Sequence, residues 1–174
     1  MRIAGIDLGI KKIAISIWED NLLVVTRAYE SQVSQRYDQL DDITTWLVHV
    51  LRDQEPDHVF IEDTLIGNNK NYSIRLSQTM GAVLAALSPI TKKMPMGVYL
   101  VNNKTWKKEV VGNGNANKNS VKNYIEQKNS AYAALCGNDQ DRFDAACIGY
   151  YGVVIAERAD DMAAVRLLHE PGGA

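Results

Sequence analysis

The chain is poor in cysteine and histidine, the residues that build most zinc and haem sites. Its 174 residues include two cysteines and three histidines. Cys136 and Cys147 have no second Cys or His at the short spacing that zinc sites favour. This argues against a metal–thiolate cluster and predicts that both are buried as small hydrophobic residues. The histidines are scattered, and we assign none of them a role.

Long apolar runs are also lacking, and none reaches the roughly 18 residues that a membrane-spanning helix needs. The N-terminal sequence MRIAGIDLG carries an acid where a secretory signal requires an uninterrupted apolar stretch. An apolar fraction of 46% and a charged fraction of 23% are typical of a globular domain. We therefore expect a cytoplasmic protein with one domain at 1–160 and a C-terminal tail at 161–174 whose end is frayed.

A strong positive charge, usual in nucleic-acid-binding domains, is missing overall, since the formal net charge is −2. The charge is nevertheless unevenly distributed. The segment from Lys92 to Lys128 contains eight lysines and two acids, so it is strongly basic and the remainder of the chain is acidic. A partner with a phosphate backbone therefore has a local binding surface available to it.

The hydrophobic patterns predict an α/β domain. Apolar and β-branched runs predict strands at 2–9, 13–18, 22–29, 59–63 and 97–101, and three- and four-residue spacings predict helices at 36–54, 72–88, 104–110, 117–128 and 140–158. In this order an antiparallel meander is extended by parallel strands with crossover helices. The expected architecture is a mixed five-stranded sheet flanked by helices.

Two predicted strands carry a carboxylate in unusual surroundings. Asp7 lies inside the apolar run IAGIDLG, and Glu62 ends the run VFIE where the chain turns into a loop. A charge in an apolar strand is costly unless something pairs with it. Asp7 has an alternative role as a turn-capping residue beside Gly9, which the sequence leaves open.

Two further acids, Asp141 and Asp144, are three residues apart and so lie on one face of a predicted helix. They would repel each other unless a cation binds between them. Hard oxygen ligands suit Mg²⁺ or Mn²⁺, and two such ions support phosphodiester hydrolysis. For Asp141 the alternative is a stabilising position at the positive end of the helix dipole.

Four segments resemble motifs of the RuvC-like Holliday junction resolvases, which have an RNase H-like fold. These segments are GIDLGIKKIAISI, IEDTLIGNNKNYSIRLSQTMGAV, WKKEVVGNGNANKNSVKNYI and DRFDAACIGYYG, in family order across residues 3–152. The third is the most specific, because other RNase H-like enzymes lack it. The resemblance implies a metal-dependent endonuclease that nicks branched DNA as a homodimer, with Mg²⁺ bound by Asp7, Glu62, Asp141 and Asp144.

The resemblance also places Lys107 and Lys118 beside the cleaved strand. Further DNA contacts are expected from Lys108, Lys122, Asn113, Asn115, Leu65, Asn69 and Arg75. Lysines often form no more than a solvated face, but these flank a Gly/Asn loop that leads into a helix N-terminus, where amides bind phosphate. Trp106 is interpreted either as a base-stacking residue or as a core or dimer-interface residue.

The sequence departs from the family pattern at three positions. Leu8 replaces a common Pro, Ile13 a frequent Gly, and Leu65 an aromatic residue that wedges against a junction base in bacterial resolvases. Leucine inserts between bases but stacks poorly, so junction opening is in doubt. The short length and Asn-rich loops resemble the phage-encoded branch.

Two other functions remain open from the sequence. The first is an RNase H or YqgF-like nuclease acting on RNA, for which the first motif serves equally well. The second is an inactive branched-DNA-binding protein. The basic VVGNGNANK segment argues against the former, and the presence of all four acids argues against the latter.

Overall fold

A computed structural model describes residues 1–63, 69–94 and 96–158, together with the backbone of 166–169. Its strands are β1 (Arg2–Leu8), β2 (Lys12–Glu19), β3 (Leu22–Glu30), β4 (His58–Glu62), β5 (Gly97–Val101) and β6 (Arg166–His169). They form one sheet in the order β3-β2-β1-β4-β5-β6. The pairs β1–β4 and β4–β5 are parallel, and the remaining pairs are antiparallel.

The described residues also form six α-helices, which pack on the sheet or on one another. They are α1 (Arg36–Gln54), α2 (Lys70–Thr91), α3 (Asn103–Trp106), α4 (Lys118–Lys128), α5 (Ser130–Cys136) and α6 (Gln140–Glu157). Helix α3 continues into a π-helical turn, Lys107–Val111. In the described part of the chain, no helix combines the length and apolarity needed to cross a membrane.

The α/β class, the antiparallel meander and the five predicted strands are confirmed. The structure adds a sixth strand, β6, from residues that the sequence assigns to the tail. It also adds α5, because Asn129 ends α4 and its side chain at once caps a new helix by accepting a hydrogen bond from the Ala131 amide. The predicted helix at 104–110 is a short α-helix followed by the π-helical turn.

Side chains along the inner strands point alternately to the two faces of the sheet, so the hydrophobic core has one part on each face. On β1, Ala4 and Ile6 pack with α1 and α2, whereas Ile3 packs with residues of α6. On β4, Ile61 faces α1 and α2, and Phe60 faces α6. Successive strand residues point to opposite faces, so Asp7 and Glu62 both lie on the α6 face.

Asparagine side chains begin most of the helices. Asn69, Asn102, Asn117 and Asn129 each accept a backbone N–H from the first turn of α2, α3, α4 and α5. Asparagine is among the best N-cap residues because its short amide satisfies an otherwise unpaired helix donor. The Asn-rich loops therefore have a structural explanation that does not depend on a phage origin.

Helix α6 packs unusually close to β1. A Cβ atom on Gly5 would overlap the backbone nitrogen of Gly149 and the carbonyl oxygen of Ala145. The hydroxyl of Ser16 on β2 donates to that same Ala145 carbonyl at 2.7 Å. This close packing brings the first turns of α6 to the strand end that carries Asp7.

Candidate active site

The sheet itself brings two of the predicted acids together. In the parallel pair β1–β4, Ile6 is opposite Ile61, so Asp7 and Glu62 are the next residues on adjacent strands. Both are partly buried and face α6. The two carboxyl groups are close enough for the Glu62 charge to raise the pKa of Asp7, although burial raises it more. The structure thus places the two strand-end acids on neighbouring strands, and their joint role in metal binding stays a prediction.

The first turns of α6 supply the other two acids. Asp139 is the N-cap, and its carboxylate accepts the Asp141 amide at 3.1 Å. Asp141 and Asp144 then project from the same face. One carboxylate oxygen from each of Asp7, Asp141 and Asp144 lies within 4.8 Å of the others. Asp139 is the capping residue, whereas Asp141 lies in the first turn of α6, so its carboxylate is both near the positive end of the helix dipole and part of the cluster.

Glu62 lies beside this three-acid cluster rather than within it. Its Oε1 accepts a hydrogen bond from the Asn103 side-chain amide at 2.7 Å, and its Oε2 accepts one from the Trp106 indole N–H at 2.9 Å. Trp106 is fully buried. The base-stacking interpretation of Trp106 is therefore wrong, since its ring has no surface to offer a base. No local pattern pointed to Asn103, because its contact with Glu62 spans 41 residues.

The surroundings of Asp7 and Asp144 raise the pKa of both carboxyl groups. Burial, and then the charges of Glu62, Asp144 and Asp141, raise the pKa of Asp7 well above its ordinary 3.8. Burial likewise raises the pKa of Asp144 to about 6, against an opposing hydrogen bond that Gln140 donates at 3.2 Å. Burial therefore makes the ionised forms of Asp7 and Asp144 less favourable in the metal-free protein than they would be in water. A divalent cation would relieve the repulsion and stabilise the ionised forms.

This arrangement predicts a specific pH dependence of stability. A carboxyl group whose pKa is raised on folding contributes stability below its unfolded pKa, and this contribution is lost as the pH rises through the folded value. With a folded pKa of about 6 and an unfolded value of 3.8, ionised Asp144 costs up to about 3 kcal/mol. Asp144→Asn should thus raise the free energy of unfolding at pH 8 and leave it nearly unchanged at pH 4. Urea denaturation with a chelator present measures this, and a gain of equal size at both pH values would contradict it.

The first residue of β2, a lysine, reaches the edge of the acidic cluster. The Lys12 ammonium lies 2.7 Å from Asp139 Oδ1 and 2.8 Å from Asp141 Oδ2. It joins the start of β2 to the N-terminus of α6 and neutralises part of the charge there. No local pattern indicates this role for Lys12, because its partners are more than 120 residues away in sequence.

The two lysines predicted beside the cleaved strand do lie near the acids. Lys118 lowers the pKa of Asp7 and Lys107 lowers that of Asp144, in each case against the larger upward effect of burial. Lys107 also lies 5.3 Å from the Trp106 ring centroid. Lys108 is exposed. Lys122 is partly engaged, with Glu126 at 3.7 Å.

The Gly/Asn loop leads into the N-terminus of α4, as the sequence predicts. Gly112 adopts a left-handed φ of +83°, which glycine does without strain. Asn113 and Asn115 are exposed, and the Asn113 side chain accepts the Asn115 amide at 2.9 Å, which shapes the turn. Their contact with DNA stays a prediction.

The second predicted contact region lies at the start of α2. Asn69 caps this helix, and Arg75 is exposed one turn further on. Leu65 lies outside the described residues, so the substitution of the aromatic wedge stays a question for experiment. Neither Asn69 nor Arg75 belongs to the three-acid group.

Comparison with known proteins identifies the family. The profile of the family described as "Crossover junction endodeoxyribonuclease RuvC" matches residues 3–131. The chain belongs to the RuvC family. Among curated RuvC proteins, that of Ehrlichia chaffeensis is 33% identical over 135 residues, covering 73% of this chain and 81% of its own. That of Paramagnetospirillum magneticum is 31% identical over 129 residues, covering 70% and 74%.

A solved RuvC structure confirms the fold. Thermus thermophilus RuvC, in a structure with a Holliday junction substrate, superposes with a TM-score of 0.75 at 18% identity and covers 97% of this chain and 99% of its own. The RuvC, RNase H-like architecture expected from the motifs is therefore confirmed. The interpretation as an RNase H or YqgF-like protein acting on RNA is not supported, and this RuvC-family chain is an endodeoxyribonuclease.

Proposed function

We propose that this RuvC-family endonuclease nicks Holliday junctions and related branched DNA, using Mg²⁺ held by Asp7, Glu62, Asp141 and Asp144. The observation that carries the proposal is the convergence of oxygen atoms from Asp7, Asp141 and Asp144 within 4.8 Å of one another, with Glu62 adjacent. Clustered hard oxygen donors fit Mg²⁺, and Mn²⁺ should substitute for it.

Each part of the site has a defined task in phosphodiester hydrolysis. Two bound ions would supply an activated water and stabilise the leaving oxygen. The four acids, which lie on β1, β4 and α6, would hold these ions in a fixed position because strands and helices are rigid elements. Lys107 and Lys118 lie beside them and offer their ammonium groups to the phosphates that flank the scissile bond. The exposed Lys108, Asn113 and Asn115 extend this contact along the DNA backbone.

The protein should act as a homodimer, because a four-way junction presents two equivalent strands. Helix α2 is the candidate interface. Met80, Val83 and Leu87 are committed to the core, but Ile74 is 57% exposed. Ile74 lines an open groove of about 590 Å³ together with Lys70, Ser73, Ser77 and Gln78. A second copy would bury this apolar surface.

A nicking assay tests the function directly. A four-way junction, linear duplex and RNA–DNA hybrid of matched length are incubated with the protein and Mg²⁺, Mn²⁺ or a chelator. We expect paired nicks in the junction alone and only with a divalent cation. Cleavage of the hybrid in preference to the junction would favour an RNA-directed nuclease, and binding without cleavage would favour an inactive junction-binding protein.

The two lysines nearest the acids provide a graded test. Lys107→Ala and Lys118→Ala should each slow nicking and lower the slope of log affinity against log salt by about one unit, since each lost phosphate contact releases one fewer counterion. Fluorescence anisotropy over a salt series measures the slope. Lys93→Ala, which changes an exposed lysine at the far end of α2, is the matched control. If both site variants match the control in slope and rate, the lysines form only a solvated face.

The origin and location of the protein remain predictions. The curated relatives described above are bacterial RuvC proteins, so the proposed phage-type branch has no support from them. A cytoplasmic location follows from the proposed substrate.

A further inference from the structure

Both carboxylate oxygens of Glu62 accept hydrogen bonds from one segment of the chain. Asn103 and Trp106 are the first and last residues of α3, which follows β5 after the single capping residue Asn102. Their donors reach Oε1 at 2.7 Å and Oε2 at 2.9 Å. With both oxygens engaged, the plane and direction of the carboxylate are fixed. Neither Asp7 nor Asp144 is held in this two-sided way by the hydrogen bonds described for them.

The Trp106 indole is an unusual donor to find on a carboxylate. Its ring is fully buried among the α6-side core residues, so it cannot turn away without opening the core. A buried donor of this kind costs free energy if it loses its acceptor. The donor and Glu62 therefore constrain each other, and the orientation of Glu62 is set by core packing.

The same segment also carries the basic surface. Lys107 follows Trp106 directly and begins the π-helical turn, and π-helical turns are frequent at functional sites. Lys107 lies 5.3 Å from the Trp106 ring centroid, and its charge acts on Asp144. One rigid segment thus positions both an acid for the metal and a lysine for the DNA.

We infer that Trp106 and Asn103 are positioning residues that hold Glu62 in the orientation required for binding divalent metal. This inference rests on the proposed function. Hydrogen-bonding partners that orient a metal ligand typically contribute about 10-fold to 100-fold in metal affinity or activity. The loss of the Trp106 N–H should therefore weaken metal binding even where the fold is retained.

The test compares two tryptophans that are both fully buried and whose indole N–H groups both donate a hydrogen bond. Trp106→Phe removes the indole donor and keeps an aromatic ring. Trp18→Phe is the matched control, because Trp18 is also fully buried and its indole donates at 3.0 Å, but to the backbone carbonyl of Ala146. Mn²⁺ binding is measured by electron paramagnetic resonance without DNA, alongside the melting temperature. Both variants should melt earlier, but only Trp106→Phe should weaken Mn²⁺ binding, by about 10-fold.

A second pair of variants guards against a misfolded Trp106→Phe. Asn103→Ala removes the other donor and should weaken Mn²⁺ binding in the same direction. Asn129→Ala is its control, since Asn129 also caps a short helix, α5, by accepting the Ala131 amide at 2.9 Å, but it does not belong to the segment that contacts Glu62. In a Glu62→Gln background, Trp106→Phe should cause no further loss of Mn²⁺ affinity.

The outcomes separate this inference from the proposed function. If wild type binds no Mn²⁺ and nicks no junction, the proposed function fails. If wild type does both, but Trp106→Phe and Asn103→Ala bind Mn²⁺ as their controls do, the positioning role alone is overturned. An equal Mn²⁺ loss from Trp106→Phe in the Glu62→Gln background would also overturn it, because the effect would then not act through Glu62.

Discussion

Asp7→Asn is expected to reduce nicking of a four-way junction by about two orders of magnitude or more while junction binding is retained. Asp7 contributes an oxygen to the three-acid cluster and is the member that comes from the centre of the sheet. An amide of the same shape keeps the packing but removes the charge that holds a divalent ion. Binding should persist, since a lost negative charge only lessens repulsion from phosphates.

The fold should tolerate this change. Burial and neighbouring acids already raise the pKa of Asp7 well above its usual value, so the ionised carboxylate is costly in the metal-free protein. Asp42→Asn is the matched control, because Asp42 is another partly buried acid, hydrogen-bonded to Tyr29 and Ser31 on the opposite face of the sheet. Nicking by Asp7→Asn within a factor of about ten of the control would contradict the metal-site assignment.

The same variant tests the proposed dimer. A mixed dimer with one Asp7→Asn subunit should nick one strand without resolving the junction, because each subunit addresses one of two equivalent strands. Sedimentation should give twice the monomer mass. A monomer that yields paired duplex products would overturn the dimer while leaving the four acids in their role.

What the sequence predicts well here is what local pattern encodes. A charge inside the apolar run of β1 and another at the end of β4 drew attention to Asp7 and Glu62, and the three-residue spacing drew attention to Asp141 and Asp144, while the family resemblance implied that the four form one metal site. Each signal needs only a few neighbouring residues. The strands and longer helices followed from periodicity in the same way, and their predicted ends agree with the structure to within three residues.

What escaped prediction depends on contacts between distant parts of the chain. Lys12 pairs with Asp139, and Trp106 donates to Glu62, across 127 and 44 residues of sequence. No local pattern reports such a pair. Strand β6 was missed for the same reason, since its four residues become a strand by pairing with the edge of β5. The sequence around Trp106 does not indicate that its indole N–H donates to a carboxylate.

The close packing of β1 against α6 is a second property that local sequence pattern does not reveal. Gly5→Ala should disrupt this packing. The new Cβ would overlap backbone atoms of Gly149 and Ala145, which cannot rotate away as a side chain would. Helix α6 must therefore move from the sheet, at a cost of about 3 kcal/mol or more in the free energy of unfolding. The same movement separates Asp141 and Asp144 from Asp7, so nicking should fall further than the loss of folded protein explains.

Gly81→Ala provides the matched control with an effect of opposite sign. Gly81 lies within α2, and a Cβ there meets no atom within 4 Å. Because alanine is the better helix former, this change should raise the free energy of unfolding by about 0.5–1 kcal/mol. Urea denaturation of both variants, with nicking assayed at a temperature where each is folded, separates packing from helix propensity. If Gly5→Ala were as stable and active as Gly81→Ala, the tight approach of α6 to β1 could not be what assembles the acidic cluster.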